Sequence, residues 1–410
     1  NTPLRLHAGY RSGLGKVPES VSKLMLQKVI DCGISTARIS DPWNDFAMLK
    51  EEHDEMRRMG LESVVNIIYS VSPRHTTEYF VQRTRDAAAL KPYRLCFKDV
   101  GGLLTPSRLR ELLPKVLEAA GDIPVEFHNH CNNGLGVFNA QEAVALGILH
   151  VHTAVPPLAD GSSQPSVFDV ARNLRALGHD LPLDLDPLHE VSDYLTGIAR
   201  REKLAIGSPR AYDETLYAHQ IPGGMISNLE YQLEKVGMGG RLDLIREEAA
   251  RVRAELGYPI MVTPLSQFVG TQAAINVITG ARYKQVTDEI IQYALGLWGR
   301  EALEHMDANT RDLILDRPRA REIAAMKIDQ PNLAEVRRAA GGELSDEELI
   351  LRAYVDDAAV QMGRRLARVR EEPVGRSPLG SLVAGLAAQS AQHDIAVQAG
   401  EISIRLGKAW

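Results

Sequence analysis

From its start to about residue 177 the chain alternates short runs rich in β-branched and apolar residues with longer stretches of helical periodicity. This is the pattern of βα units that feed a parallel sheet. The runs fall at residues 3–8, 35–40, 62–68, 94–98, 125–128 and 149–155, and each is followed by a helical pattern opening near a Pro, Ser, Thr or Asn. Spacings of about 25 to 35 residues suit an α/β fold of the TIM type, a (β/α)8 barrel whose active site gathers at the carboxyl ends of the strands. Six units are two short of eight, and an open six-stranded array leaves unpaired edges. The expectation is therefore a barrel whose first two βα units are absent from this chain.

Residues 182–300 read as helices joined by loops, and the charged amphipathic stretch 242–256 is expected to be a solvated helix face. From Arg300 to about Glu372 the pattern stays helical and turns strongly charged. The tail has an Ala/Leu-rich helical segment and then two alternating runs, 395–398 and 402–406, around Ala399-Gly400, which predict a hairpin. Three parts follow: 1–300, the barrel and its helical extension; 301–375, a helical subdomain; and 376–410, a helix–hairpin tail. The tail is too small to bury a core alone, which makes it a candidate docking element.

Acidic and basic residues are mixed along the helices, with a net charge of −6, so no basic stripe suits nucleic acid or an anionic membrane. Three well-separated cysteines, Cys32, Cys96 and Cys131, make neither a disulfide framework nor a thiolate metal cage, and no apolar run approaches the roughly 18 residues of a membrane span. The expected location is cytoplasmic. Ala325-Met326-Lys327 has part of the look of a biotin attachment site, but its upstream flank reads as helix, so Lys327 is not expected to carry biotin.

Chemistry concentrates at the strand ends. His128-Asn129-His130 closes the fifth run, and the two-residue period of a strand puts both imidazoles on one face, where they could hold a divalent ion or simply be satisfied structural histidines. The Asn132-Asn133-Gly134-Leu135-Gly136 segment after them permits a sharp bend. His150-Val151-His152 closes the next run and competes for the same role. Lys98 ends the apolar run Leu95-Cys96-Phe97, and an ammonium ion there is costly, so Lys98 should be neutral, modified or paired, with Asp99 as one partner. Gly223-Gly224-Met225-Ile226-Ser227-Asn228 follows Pro222 as a glycine-rich turn leading into a helix. No phosphate-loop, zincin or nucleophile-elbow motif is present.

Several ordered segments resemble one family. They are Asp41-Pro42-Trp43-Asn44-Asp45, Ser72-Pro73-Arg74-His75-Thr76-Thr77-Glu78-Tyr79, Lys98 through Pro106, the H-x-H strand, Gly161-Ser162-Ser163-Gln164-Pro165, Gln220-Ile221-Pro222-Gly223-Gly224-Met225, Val262-Thr263-Pro264-Leu265-Ser266-Gln267 and Gly280-Ala281-Arg282-Tyr283-Lys284. Together they are similar to the carboxyltransferase domains of pyruvate carboxylase, the oxaloacetate decarboxylase alpha subunit and the transcarboxylase 5S subunit, within the HMG-CoA-lyase-like TIM-barrel superfamily. The resemblance implies that Lys98 is carbamylated and, with His128 and His130, binds a divalent metal such as Zn, Mn or Co. It further implies that Ser227 shuttles a proton and that Arg5 meets the substrate carboxylate. The implied reaction moves a carboxyl group between carboxybiotin and a small 2-oxo acid. Biotin would be supplied by a separate carrier, with biotin carboxyl carrier and biotin carboxylase subunits as partners in a homodimeric assembly. The chain departs from the family pattern at Asn132-Asn133, where Thr-Ser is usual, and at His152, where an aspartate is usual. No counterpart of the family's first-strand aspartate ligand is found. Two rival readings remain: a biotin-independent metal-dependent lyase or aldolase of the HMG-CoA lyase type, and a non-catalytic scaffold subunit.

Overall fold

A parallel sheet forms from the six short runs: β1 (Arg5–His7), β2 (Thr36–Ile39), β3 (Glu62–Ile68), β4 (Arg94–Asp99), β5 (Val125–Asn129) and β6 (His150–Val151). They pair in chain order and every neighbouring pair is parallel, which makes the sheet of a partial TIM-type barrel. In this computed structural model residues 2–7, 17–235, 239–326, 329–342, 344–367, 394–399 and 402–407 are described. The chain separates into two compact units, Asn1–Ile350 and Leu351–Trp410.

A helix follows each strand: α1 (Glu19–Asp31), α2 (Phe46–Arg58), α3 (Thr77–Ala89), α4 (Pro106–Ala120), α5 (Gly136–Ala145) and α6 (Val167–Ala176). Two starts are set by local chemistry. The Thr76 hydroxyl accepts the Tyr79 amide at the head of α3, and Thr105 does the same for Arg108 at the head of α4, where Pro106 occupies the first turn and gives up no needed donor.

The strands are two-faced. Ala37, Ile39, Val65, Ile67, Leu95, Phe97, Val125 and Phe127 join Leu26, Phe46, Phe80, Leu109 and Leu113 of the helices in one buried cluster. Burying each such side chain contributes roughly 1.5–3 kcal/mol, which makes the helix-facing side the main source of cohesion. The other face is polar: Asn66, Cys96, Glu126 and His150 lie in one cross-strand row, and Ile68, Lys98 and His128 in the next.

The helices after α6 build a second apolar cluster that includes Ile221, Ile245, Val252, Leu265, Phe268 and Ile291, and Trp43 from the β2 loop belongs to it. Trp43 Nε1 donates to the Trp298 carbonyl at 3.1 Å, and Arg74 pairs with Glu301 at 2.6 Å, so this extension is fastened to the barrel within the first unit. The charged helix Leu242–Glu255 departs from the expected solvated face: Glu248 and Arg253 are buried. Arg253 spends its guanidinium on the carbonyls of Pro259 and Val71 and the Ser70 hydroxyl, because a layer the periodicity could not reveal covers that side.

In the second unit the expected hairpin is present as β7 (Asp394–Ala399) and β8 (Ile402–Gly407), antiparallel with Ala399 opposite Ile402. The helical segment expected before it, and Lys327, lie outside the described residues; the flank upstream of Lys327 is helical, Pro318–Ala325. No helix among the described residues is long and apolar enough to cross a membrane.

Candidate functional site

Lys98 and His128 are register partners across β4 and β5, so their side chains leave the polar face side by side, and His130 follows two residues on. The three residues singled out in the sequence therefore meet at one strand end. Gly102 makes the meeting possible: its φ is +65°, and a Cβ there would stand 3.0 Å from the His130 carbonyl and the Asn132 amide. The alternative pairing of Lys98 with Asp99 does not form. Asp99 turns to the other side of the strand and accepts the amides of Leu103 and Leu104 at 2.9 and 2.8 Å.

Burial, with the Arg38 charge second, lowers the Lys98 pKa to about 8. Burial also lowers His130 to about 4, partly opposed by its bond to Ser162, and pushes His128 well below its ordinary value, with the charges of His130 and Lys98 adding. Both imidazoles are thus held neutral, the form that ligates metals.

His130 Nδ1 lies 2.6 Å from the Ser162 carbonyl, which can only accept, so the ring proton is on Nδ1 and Nε2 carries a bare lone pair. That Nε2 is 3.1 Å from His128 Nε2. Two nitrogens bound at about 2.0–2.1 Å to one ion would stand about 3.0–3.4 Å apart, depending on the angle. The Gln164 amide nitrogen lies 3.0 Å from His130 Nε2 and 3.4 Å from His128 Nε2, a donor where a cation would sit. The pair therefore fits a divalent ion. Among the described residues no third His, Cys, Asp or Glu shares its ligand sphere, which leaves room for an oxygen donor from Lys98.

The competing pair separates: His150 points to solvent, whereas His152 lies against His128, Nδ1 to Nδ1, at 3.0 Å. Asn132 holds the carbonyls of Val100 and Gly101, and Asn133 donates to the Tyr217 hydroxyl, so this departure from the family pattern ties loops together. Gly223 packs on Asn132, where a Cβ would come 2.5 Å from its Oδ1, and this brings the Pro-Gly-Gly turn to the H-x-H end of the sheet. Ser227 lies in the helix that turn opens, Gly223–Lys235, but its side chain is outside the described atoms. Arg5 is exposed and lies toward the amino ends of the strands, with Nη1 on Glu126 at 2.6 Å.

Glu126, Arg38 and Gln164 received no role from the sequence. The signal for the first two was available: a charged residue at an inward position of a strand whose other face is apolar. Gln164 stands inside a matched segment but only loop closure brings it onto the histidines.

The chain is similar to several known proteins. Residues 20–195 match the HMGL-like family and residues 216–403 the conserved carboxylase domain. A pyruvate carboxylase subunit of Methanocaldococcus jannaschii is 34% identical over 73% of this chain and 53% of its own length. The 2-oxoglutarate carboxylase large subunit of Hydrogenobacter thermophilus is 30% identical over 91% of this chain and 59% of its own. The chain thus spans between one half and two thirds of the length of these relatives. The carboxyl transferase domain of Rhizobium etli pyruvate carboxylase superposes with a TM-score of 0.77 over 98% of this chain and 70% of that domain, at 21% identity, a likeness of fold. The HMGL-like and conserved carboxylase matches thus stand in succession along the chain, and its relatives are named as carboxylase subunits.

Proposed function

We propose that this chain is a metal-dependent carboxyltransferase that moves a carboxyl group between carboxybiotin on a separate carrier and a small 2-oxo acid of the pyruvate or oxaloacetate type. The observation that carries the reading is a pair of imidazole nitrogens 3.1 Å apart beside a lysine whose pKa is lowered to about 8. A lysine of that kind is neutral in a sizeable fraction at mildly alkaline pH. Its Nζ can then add carbon dioxide, forming a nitrogen–carbon bond and releasing one proton, and become an anionic oxygen donor in place of a costly buried cation. His128 and His130 would hold the ion through Nε2 and carbamylated Lys98 through oxygen. A divalent Zn, Mn or Co ion so bound supplies Lewis-acid polarisation of a keto oxygen.

Ser227 would pass a proton between the substrate carbon and the biotin ureido nitrogen. Arg5, with Nη1 on Glu126 and Nε 3.4 Å from the Thr36 hydroxyl, would meet the substrate carboxylate through Nη2. On this reading residues 1–300 carry the chemistry, 301–375 form a helical subdomain and 376–410 a docking tail. Both relatives are named as single subunits of larger carboxylases, which supports partners that bring the biotin carrier and the biotin carboxylase, and a homodimer is part of the proposal.

Elemental analysis combined with a carboxyl-transfer assay on free biotin tests it. The purified protein should hold a divalent ion and turn over, and Lys98→Ala should lose both; a Lys98→Ala protein that keeps both rejects the carbamate. The lyase reading draws support from the HMGL-like match, which covers Lys98, His128 and His130, and 2-oxo acid turnover without biotin would favour it.

A further inference from the structure

We infer that Arg210 is a positioning residue: from an exposed strap it clasps the loop after the H-x-H strand to the Pro-Gly-Gly turn, and so fixes the helix that carries Ser227 against the H-x-H end of the sheet. The purpose of the clasp rests on the carboxyltransferase reading; its geometry does not.

The strap is residues 202–215, between the helix Asp186–Arg201 and the short helix Leu216–His219. It is exposed along its whole length, so buried apolar side chains do not hold it. Backbone contacts do. The Gly207 amide donates to the Pro157 carbonyl at 2.8 Å, and a Cβ on Gly207 would collide with the Ala159 carbonyl oxygen. A Cβ on Gly134, in the loop after β5, would collide with the Arg210 carbonyl oxygen. At these two positions only glycine lets the chains come so close. Gly161, in the loop after β6, completes the seat, its Cβ position 3.5 Å from the Ser208 carbonyl oxygen and 3.9 Å from Arg210 Nε.

The Arg210 side chain extends the contact to a further segment. A Cβ on Gly223 would stand 2.8 Å from Arg210 Nη1 and 2.5 Å from Asn132 Oδ1, so a guanidinium and a carbonyl oxygen converge on the notch that this glycine leaves. The orientation of the amide is fixed by chemistry: Asn132 Nδ2 donates to the Val100 and Gly101 carbonyls, both at 3.1 Å, and these can only accept. Oδ1 therefore faces the notch. Asn132 is 5% exposed, and its Oδ1 is buried with no donor in hydrogen-bond geometry. A buried acceptor in that state is costly, and Arg210 brings a charged donor to it without burying the charge, since the residue itself is exposed. Closing the bond takes a rotamer change, which exposed side chains make within nanoseconds. Through Asn132 the clasp reaches the loop after Lys98, and through Gly223 it reaches the head of the Ser227 helix.

Hydrogen–deuterium exchange of the whole chain, read by mass spectrometry, tests the clasp without any ligand. Arg210→Met keeps the aliphatic stem and removes every side-chain donor. Amides in segments 130–135 and 220–226 should then exchange about tenfold faster than in the wild type, the scale of one lost charge-assisted hydrogen bond, with those of β3 and β4 unchanged. Arg210→Lys keeps a donor and the charge, and should recover most of the protection. Gly223→Ala, whose Cβ fills the notch, should reproduce the methionine pattern. Equal exchange in wild type and Arg210→Met overturns the clasp, as does a lysine variant no better protected than the methionine one. Function is read on the same proteins as decarboxylation of oxaloacetate dependent on free biotin. Arg210→Met should lower kcat by about 10- to 100-fold, the effect of a misplaced group, with KM for oxaloacetate and bound metal unchanged. Loosened segments with an unaltered kcat overturn the positioning role. If exchange responds as stated while the wild type itself shows no biotin-dependent turnover, the clasp stands and the carboxyltransferase reading fails.

Discussion

Lys98→Met should make the metal-free protein more stable at pH 7 while abolishing its function. Lys98 leaves the sheet between Ile68 and His128 in register, and burial together with the Arg38 charge lowers its pKa from 10.5 to about 8. At about 1.4 kcal/mol for each tenfold change in proton affinity, that drop is worth at most about 3.5 kcal/mol. The sign follows from linkage. The unfolded chain keeps the ordinary value, so it binds more protons between about pH 8 and 10.5, and stability rises with pH across that window. At pH 7 both states are charged and the folded state carries the whole penalty. Methionine matches the length of the lysine stem without the charge, so the substitution should recover about 1–3 kcal/mol once small packing losses are allowed for. Urea unfolding of chelator-treated protein in carbon-dioxide-free buffer would show a higher midpoint with an unchanged slope. The gain should shrink when the comparison is repeated near pH 9.5. A Lys98→Met protein clearly less stable than wild type at pH 7 would refute the reasoning, because it would mean that the ammonium is a stabilising partner rather than a stored cost.

Ser227→Ala should leave folding and bound metal intact but slow biotin-dependent turnover by about 100-fold, the usual scale for a lost proton relay; unchanged turnover would remove Ser227 from the mechanism. His75 is buried against the Ser72 hydroxyl at 2.6 Å, and burial, with the charges of Arg253, Arg74 and Arg83, lowers its pKa to about 3. Its folded value lies below the unfolded one, so stability should fall as pH drops from about 6.5, by about 2 kcal/mol at pH 5, and His75→Gln should flatten that slope in thermal melts against pH. Deleting residues 377–410 should preserve turnover with free biotin and abolish turnover with the carrier protein. Aggregation of the shortened chain, or undiminished activity with the carrier, would instead assign the tail a structural role.

The alternation of short β-branched runs with helical periods already determined the parallel sheet and the order of its strands. The two-residue period of a strand likewise put His128 and His130 on one face, and a Pro, Ser, Thr or Asn after each run marked where a helix opens. These are local properties, decided by backbone conformation and by which side of an element is apolar. What the Lys98 ammonium would meet was open: Asp99 was an available partner, and only the fold shows it turned to the amides of Leu103 and Leu104. Two H-x-H pairs competed for one role, told apart only by the glycine-rich follow-on of the first, yet one strand's register leaves His150 in solvent and brings His152 onto His128. Loop closure sets Ser162 and Gln164 on His130 from more than thirty residues away, and the loop after β3 takes up the buried guanidinium of Arg253 in what reads as an exposed helix. A residue's own neighbours in the chain specify its element and its face, whereas protonation and partners depend on what other segments bring to that face, and this is decided only when distant elements pack.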